Sequence, residues 1–329
     1  MKFRAVRIFE EDGKFLKKIV ERSIDDLPEG DVVINVKYTS LNYKDALSCI
    51  GNRGVTRNYP HTPGIDAAGV VTESKTSDFK PGDEVILTGF DLGMNTDGGF
   101  GEYIRVPKEW VIKRPENLSL KEAMVYGTAG FTAGLSVYEL MKDVKPENGK
   151  ILVSGGTGGV GSHAVRFLSK MGYNVTAVIN GDQEEKLAKE LGAKDTVNRE
   201  VLDDKSGKAL LKQSWAGVVD TVGGNPLSTA IRSASYGGVV TTCGNVAGGE
   251  LPFSTVYPFI LRGVKLVGID SVQCPKEKRE KIWELISKEW KGANLESGIK
   301  EVDMAGIFDE VENMLNGRLI GRVIIRHKG

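Results

Sequence analysis

Residues 150–172 read KILVSGGTGGVGSHAVRFLSKMG: a short β-prone run, a glycine-rich turn, then apolar residues at helical spacing. Val160, Ala164, Phe167, Leu168 and Met171 fall on one helical face. Gly156, Gly158 and Gly161 form G-x-G-x-x-G. Alone this pattern is weak; between a strand and a helix, and leading into a second strand (NVTAVI), it is much more specific. In that setting Gly156 predicts a tight turn, Gly158 a close backbone approach to a pyrophosphate, and Gly161 close helix–strand packing. Thr157, Gly158, Gly159 and Val160 then border phosphates held on the helix N-terminus. The bland alternative is a tight turn with no ligand.

Downstream the alternation continues. A helix over Asp182–Leu191 with a stop at Gly192 follows NVTAVI, and AGVVDTV, GGVVTTC and VKLVGID are three further buried-strand candidates. This predicts an α/β, doubly wound parallel sheet ending near Ile269. A last helix is expected over Lys278–Trp290. Upstream, VVINVKYTSL, DAAGVVTES, DEVILTGF and GEYIRVP predict a strand-rich, barrel-like domain. Leu120–Tyr126 and Ala129–Met141 read as two helices. The expected division is 1–124 with 272–329 as one domain and 125–271 as the dinucleotide-binding domain.

The 329 residues carry 44 basic and 44 acidic side chains, so no net field favours nucleic acid or an anionic membrane. No apolar leader or spanning run is apparent, and Cys49, Cys243 and Cys274 are too few and scattered for a disulfide framework. A reducing cytoplasm is the expected setting.

LNYKDAL, PGIDAAGVV, GTAGFTA, DTVGG and GRVIIR join the glycine loop in order along the chain. Together they resemble the medium-chain dehydrogenase/reductase superfamily. SLNYKDAL, RNYPHTPGID, GTAGFTAGL, SYGGVVTTCG and PFILRGVKLVGIDSV resemble its quinone-oxidoreductase-like group, which contains bacterial acryloyl-CoA reductases. The resemblance implies a GroES-like barrel as the catalytic domain, a Rossmann domain and a homodimer. It also implies a zinc-free enzyme, because Asn42, Ile65 and Thr128 stand where zinc-dependent relatives place ligands.

The same resemblance implies that Tyr43 faces nicotinamide and substrate, that Thr128 bonds the nicotinamide end, and that Asn245, Val246, Phe259, Ile260, Ser271 and Asn316 contact the cofactor. Asn42, Lys44 and Asp45 are candidates to orient Tyr43, and Asp45 reads equally as a helix cap. Arg53 and Arg57 are candidates for the phosphates of a CoA thioester. At the end of the second strand, Ile179, Asn180 and Gly181 offer no acid to a ribose, and Asp182 reads as the N-cap of the next helix. Arg199 could meet a 2′-phosphate, so NADPH is expected, with Glu184 and Glu185 facing solvent. The implied reaction is hydride delivery to an activated C=C bond, acryloyl-CoA foremost. A quinone or enone reductase and a non-catalytic cofactor sensor are the alternatives.

Overall fold

Asp12 and Gly13, with φ of 50° and 73°, form the two-residue turn of a hairpin. It joins β1 (Lys2–Glu11) to β2 (Lys14–Ser23), with Glu11 opposite Lys14. The computed structural model describes residues 1–292 and 295–328, and the chain divides into two units. The first holds Met1–Thr128, Val272–Ser287 and Ile299–Gly329; the second holds Ala129–Ser271 and Lys288–Gly298.

The first unit is built on β3 (Val32–Ser40), followed by α1 (Tyr43–Cys49), β4 (Asp66–Ser74), β5 (Glu84–Thr88), β6 (Tyr103–Val106) and β7 (Ile112–Lys113). After the second unit come α7 (Lys276–Ser287), β14 (Ile299–Val302), α8 (Ile307–Leu315) and β15 (Arg322–Arg326). The seven-stranded sheet runs β14-β15-β3-β4-β5-β7, with β6 also paired to β3. Val32, Ile34 and Val36 enter one core cluster while Val33 enters another with Phe3 and Ala5. β3 is therefore covered on both faces along its first half, where simple alternation predicts one.

α2 (Leu120–Leu140) breaks at Gly127 (φ 51°, ψ −154°), between the two helices expected from sequence. The second unit contains β8 (Lys150–Val153), α3 (Gly159–Lys170), β9 (Asn174–Ile179), α4 (Asp182–Glu190), β10 (Asp195–Asn198), β11 (Trp215–Asp220), α5 (Gly224–Ser233), β12 (Ala234–Thr242), α6 (Tyr257–Arg262) and β13 (Lys265–Gly268). The strands lie in the order β10-β9-β8-β11-β12-β13, every pair parallel. All six carboxyl ends thus point to one edge, the edge where such sheets bind ligands. Lys288–Gly298 belongs to this unit: Trp290 packs 5.6 Å from the Phe167 ring, and Arg166 donates to the Ser297 carbonyl at 2.6 Å.

Candidate active site

The glycine loop joins β8 to α3, and its tight turn is made one residue earlier than the motif suggests. Gly155, not Gly156, has the positive φ (58°). Gly156 instead lies against β9, where a Cβ would come 2.7 Å from that of Ala177. At Gly161 a Cβ would stand 2.1 Å from the Gly155 carbonyl oxygen, so this glycine lets the helix close on its own loop. Gly158 is the N-cap of α3 and offers no side-chain oxygen to the first turn, which also carries no acid. The N–H groups there are left for an external acceptor, and the cradle fits the pyrophosphate of a dinucleotide.

Asp220, in the DTVGG motif, fixes the floor of this edge. Its buried carboxylate accepts from Ser154 Oγ (2.9 Å), Gly223 N (3.0 Å) and Thr242 Oγ1 (3.0 Å), which ties together residues at the ends of β8, β11 and β12. Burial pushes its pKa up, against these donors. The DTVGG motif is visible in the sequence, but its aspartate's role depends on three strand ends that only the sheet brings together.

At the end of β9 the structure corrects an expectation. Glu184 is half-buried rather than fully solvated. It turns back from the first turn of α4, and Oε2 accepts from Thr157 Oγ1 at 2.9 Å and from Asn180 N at 3.1 Å. Glu185 stays exposed and accepts from Thr196 at 2.9 Å. Gly181, rather than Asp182, is the N-cap of α4 and has no side chain to accept from the first turn, while Glu184, the third residue of the helix, reaches back past it to Asn180. Arg199 is exposed and follows Asn198, which pairs with Ile179; it therefore sits at the same corner.

In the first unit Tyr43 is the first residue of α1 and is 46% exposed. Asn42 is the N-cap, and Asp45 accepts from its N–H at 2.8 Å, the reciprocal arm of a capping box. Asp45 is fully buried and also accepts from Gly64 N (3.1 Å), Ile65 N (2.9 Å) and Asn42 Nδ2 (3.3 Å). Burial first, and Asp66 second, push its pKa up to about 7.

Asp66 gathers the residues around Tyr43. Its carboxylate accepts from Thr128 Oγ1 (2.6 Å), Thr128 N (2.9 Å), Asn42 Nδ2 (2.8 Å), Ser40 Oγ and Arg322 Nη2 (3.2 Å). Arg322 also donates to Asn42 Oδ1 at 2.9 Å and to the Leu41 carbonyl at 2.8 Å. Gly127 is required here twice over: its φ is positive, and a Cβ would meet Arg322 Nη2 at 2.4 Å and Asp66 Oδ2 at 2.5 Å. Thr128, expected on the nicotinamide, thus gives its hydroxyl proton to Asp66.

Asn245 and Val246 are exposed in the loop after β12. Ile260 is 67% exposed on α6, ahead of the amino end of β13, whereas Phe259 packs on the core. Ser271 is part-buried just past β13. Asn316 caps α8 and donates to the Glu312 carbonyl at 2.7 Å. Arg53 is engaged by Glu10 at 2.6 Å and by the Arg57 carbonyl at 2.6 Å, over the Tyr59 ring; Arg57 is exposed. Lys44 is part-buried.

The profile of the alcohol dehydrogenase GroES-like domain matches residues 28–116, and that of the zinc-binding dehydrogenase family matches 159–288. YhfP of Bacillus subtilis is 47% identical over 306 residues, 92% of either chain. The chain belongs to the medium-chain dehydrogenase/reductase superfamily. The acrylyl-CoA reductase AcuI of Ruegeria pomeroyi is 40% identical over 318 residues, 96% of either chain. Among solved structures, YhfP with NAD bound has a TM-score of 0.96 at 44% identity, covering 99% of this chain and all of that one. The YhdH oxidoreductase of Salmonella enterica in complex with NADP has 0.96 at 39%, covering all of both. The two units are accordingly the GroES-like and Rossmann domains of this oxidoreductase superfamily.

A zinc ion, implied by the name of one family, does not fit the residues. Asn42 Oδ1 accepts from Arg322, Thr128 Oγ1 donates to Asp66, and Ile65 has no donor atom. A buried guanidinium already supplies the positive charge beside Asp66. Among the described residues, no three His, Cys, Asp or Glu side chains converge as a metal site requires.

Proposed function

We propose that the protein is an NADPH-dependent reductase of an activated C=C bond, with an enoyl thioester such as acryloyl-CoA as its substrate. The observation that carries this reading is the glycine cradle, an anion-ready helix end in the same chain as the LNYKD segment. The likeness to AcuI supports the substrate class, and NADP in the YhdH structure supports the cofactor. When bound, the dinucleotide supplies the hydride. Thr157–Val160 and the first turn of α3 hold its pyrophosphate. Asn180 and Gly181 border the adenosine ribose, with Arg199 as the partner of a 2′-phosphate. Asn245, Val246, Ser271 and Asn316 make further cofactor contacts.

Tyr43 acts on the substrate. Its phenol donates a hydrogen bond to the thioester oxygen as charge builds there, or gives a proton to the α-carbon, directly or through a water. Asn42, held by Asp66 and Arg322, fixes the start of α1 and so the direction of Tyr43. Arg57 is the cation left to meet a CoA phosphate, since Arg53 is engaged. The protein works as a homodimer in the cytoplasm.

A second reading, reduction of a quinone, is favoured by the likeness to YhfP, whose name groups it with quinone oxidoreductases. NADPH oxidation followed with acryloyl-CoA and with a soluble quinone separates the two. Fast turnover of acryloyl-CoA, competitively inhibited by free CoA, is expected. Turnover of the quinone alone, unaffected by CoA, would replace the first reading with the second.

A further inference from the structure

We infer that Glu184 is a specificity-determining residue that weakens the hold on an adenosine 2′-phosphate, in opposition to Arg199. The inference rests on the dinucleotide reading above and goes beyond it, because residue identity at the end of β9 suggests no acid there. The Glu184 carboxylate is aimed into the corner: it takes the Asn180 N–H at 3.1 Å and the Thr157 hydroxyl at 2.9 Å, and Asn180 Nδ2 lies 3.5 Å from its other oxygen. These donors border the end of the second strand, where the adenosine ribose of a dinucleotide is read. A ribose diol can donate to a carboxylate held there. A 2′-phosphate cannot: it is repelled by the charge and competes for the same donors. Among the charged groups nearby, Glu185 is taken up by Thr196 and Asp182 is exposed, so Glu184 is the acid turned inward. Arg199, brought beside the corner by the Asn198–Ile179 register, pulls the other way.

The balance is read by binding, without turnover. NADPH and NADH are titrated, by cofactor fluorescence or calorimetry, into the parent protein, Glu184→Gln and Arg199→Ala. Glutamine keeps an acceptor oxygen for the Asn180 N–H and loses only the charge. A charge-assisted contact of this kind corresponds to about a tenfold change in affinity. Glu184→Gln is therefore expected to tighten NADPH about tenfold and leave NADH within about threefold. The gain should shrink at high salt, where charge interactions are screened. Arg199→Ala should weaken NADPH selectively. Equal shifts for both cofactors, or none, in Glu184→Gln would overturn the inference and leave the dinucleotide site standing. Binding of neither cofactor by the parent would overturn the functional reading, and this inference with it.

Discussion

The Asp66 carboxylate and the Arg322 guanidinium meet at 3.2 Å, and both side chains are out of solvent. They are 256 residues apart in sequence, yet together they hold Ser40, Asn42 and Thr128. Removing one partner of a buried, hydrogen-bonded pair leaves an uncompensated charge, which typically costs about 3–5 kcal/mol. Arg322→Leu should lose on that order of stability in urea denaturation. Arg322→Leu combined with Asp66→Asn should recover part of the loss, because no lone charge remains. A single-variant loss below about 1 kcal/mol would mean that the pair is solvated in solution.

Asp45 should make stability fall as pH rises. Its pKa in the fold is pushed up to about 7, above the usual 3.8. Between those values the folded chain holds a proton that the unfolded chain has released, so the contribution is complete below about pH 4 and is lost as pH rises through about 7. The magnitude is on the order of a few kcal/mol, opposed by the four N–H donors around the carboxylate. Melting temperatures between pH 4 and 8 should decline in the parent protein. Asp45→Asn, which cannot ionise, should show a flatter profile even if it melts lower throughout.

The two glycines of the cradle should separate packing from binding. A Cβ at Gly161 meets a backbone oxygen at 2.1 Å, so Gly161→Ala should lower both the melting temperature and dinucleotide affinity. Gly158 has φ of −73° and only an ordinary 3.4 Å contact, so Gly158→Ala should fold as the parent does. If a pyrophosphate lies against it, the added methyl should nevertheless weaken dinucleotide binding about tenfold or more. Unchanged binding in Gly158→Ala would place the phosphates elsewhere.

Tyr43→Phe keeps the ring and removes the hydroxyl of a residue that is half-exposed at the start of α1. Loss of a proton donor or hydrogen-bond donor should lower kcat about a hundredfold. Dinucleotide affinity and melting temperature should stay as in the parent. Retention of full kcat with acryloyl-CoA would assign protonation to another group.

Much of this arrangement was legible from local pattern. The strand–glycine–helix order announced the parallel sheet, and the Gly127 break was visible as two helical patterns flanking GTAG. The Asp12-Gly13 dipeptide between two β-prone runs is itself a hairpin signal. Which glycine takes the positive φ depended on the path of the turn, and the motif spacing alone misplaced it by one residue. The direction of Glu184 was not legible: helical periodicity assigns a residue to a face, but a first-turn side chain can reach back over the helix end to Asn180. Asp66 and Arg322 stand in the motifs PGIDAAGVV and GRVIIR, but their pairing had no local signature, because only the folded sheet brings β15 beside β3.

The last expectation concerns assembly. β13 ends the six-stranded sheet; Leu266 on it is exposed, as are Val256, Tyr257, Ile260 and Leu261 at α6, just before it in the chain. An apolar edge strand of this kind invites pairing with a second copy. The hydrogen-bond pattern says which groups are available. Ile269 N–H donates to the Thr242 carbonyl on β12, and N–H groups alternate sides along a strand. Lys265 and Val267 therefore also point their N–H groups inward, and Leu266 and Gly268 point theirs to the open edge. Leu266→Pro removes one outward donor without touching the ladder to β12, a placement that edge strands tolerate. Light scattering should show a dimer for the parent protein at micromolar concentration and a monomer for Leu266→Pro, with the melting profile of the folded chain retained. A parent monomer would exclude pairing through β13. A dimer that survives the proline would move the interface to another face.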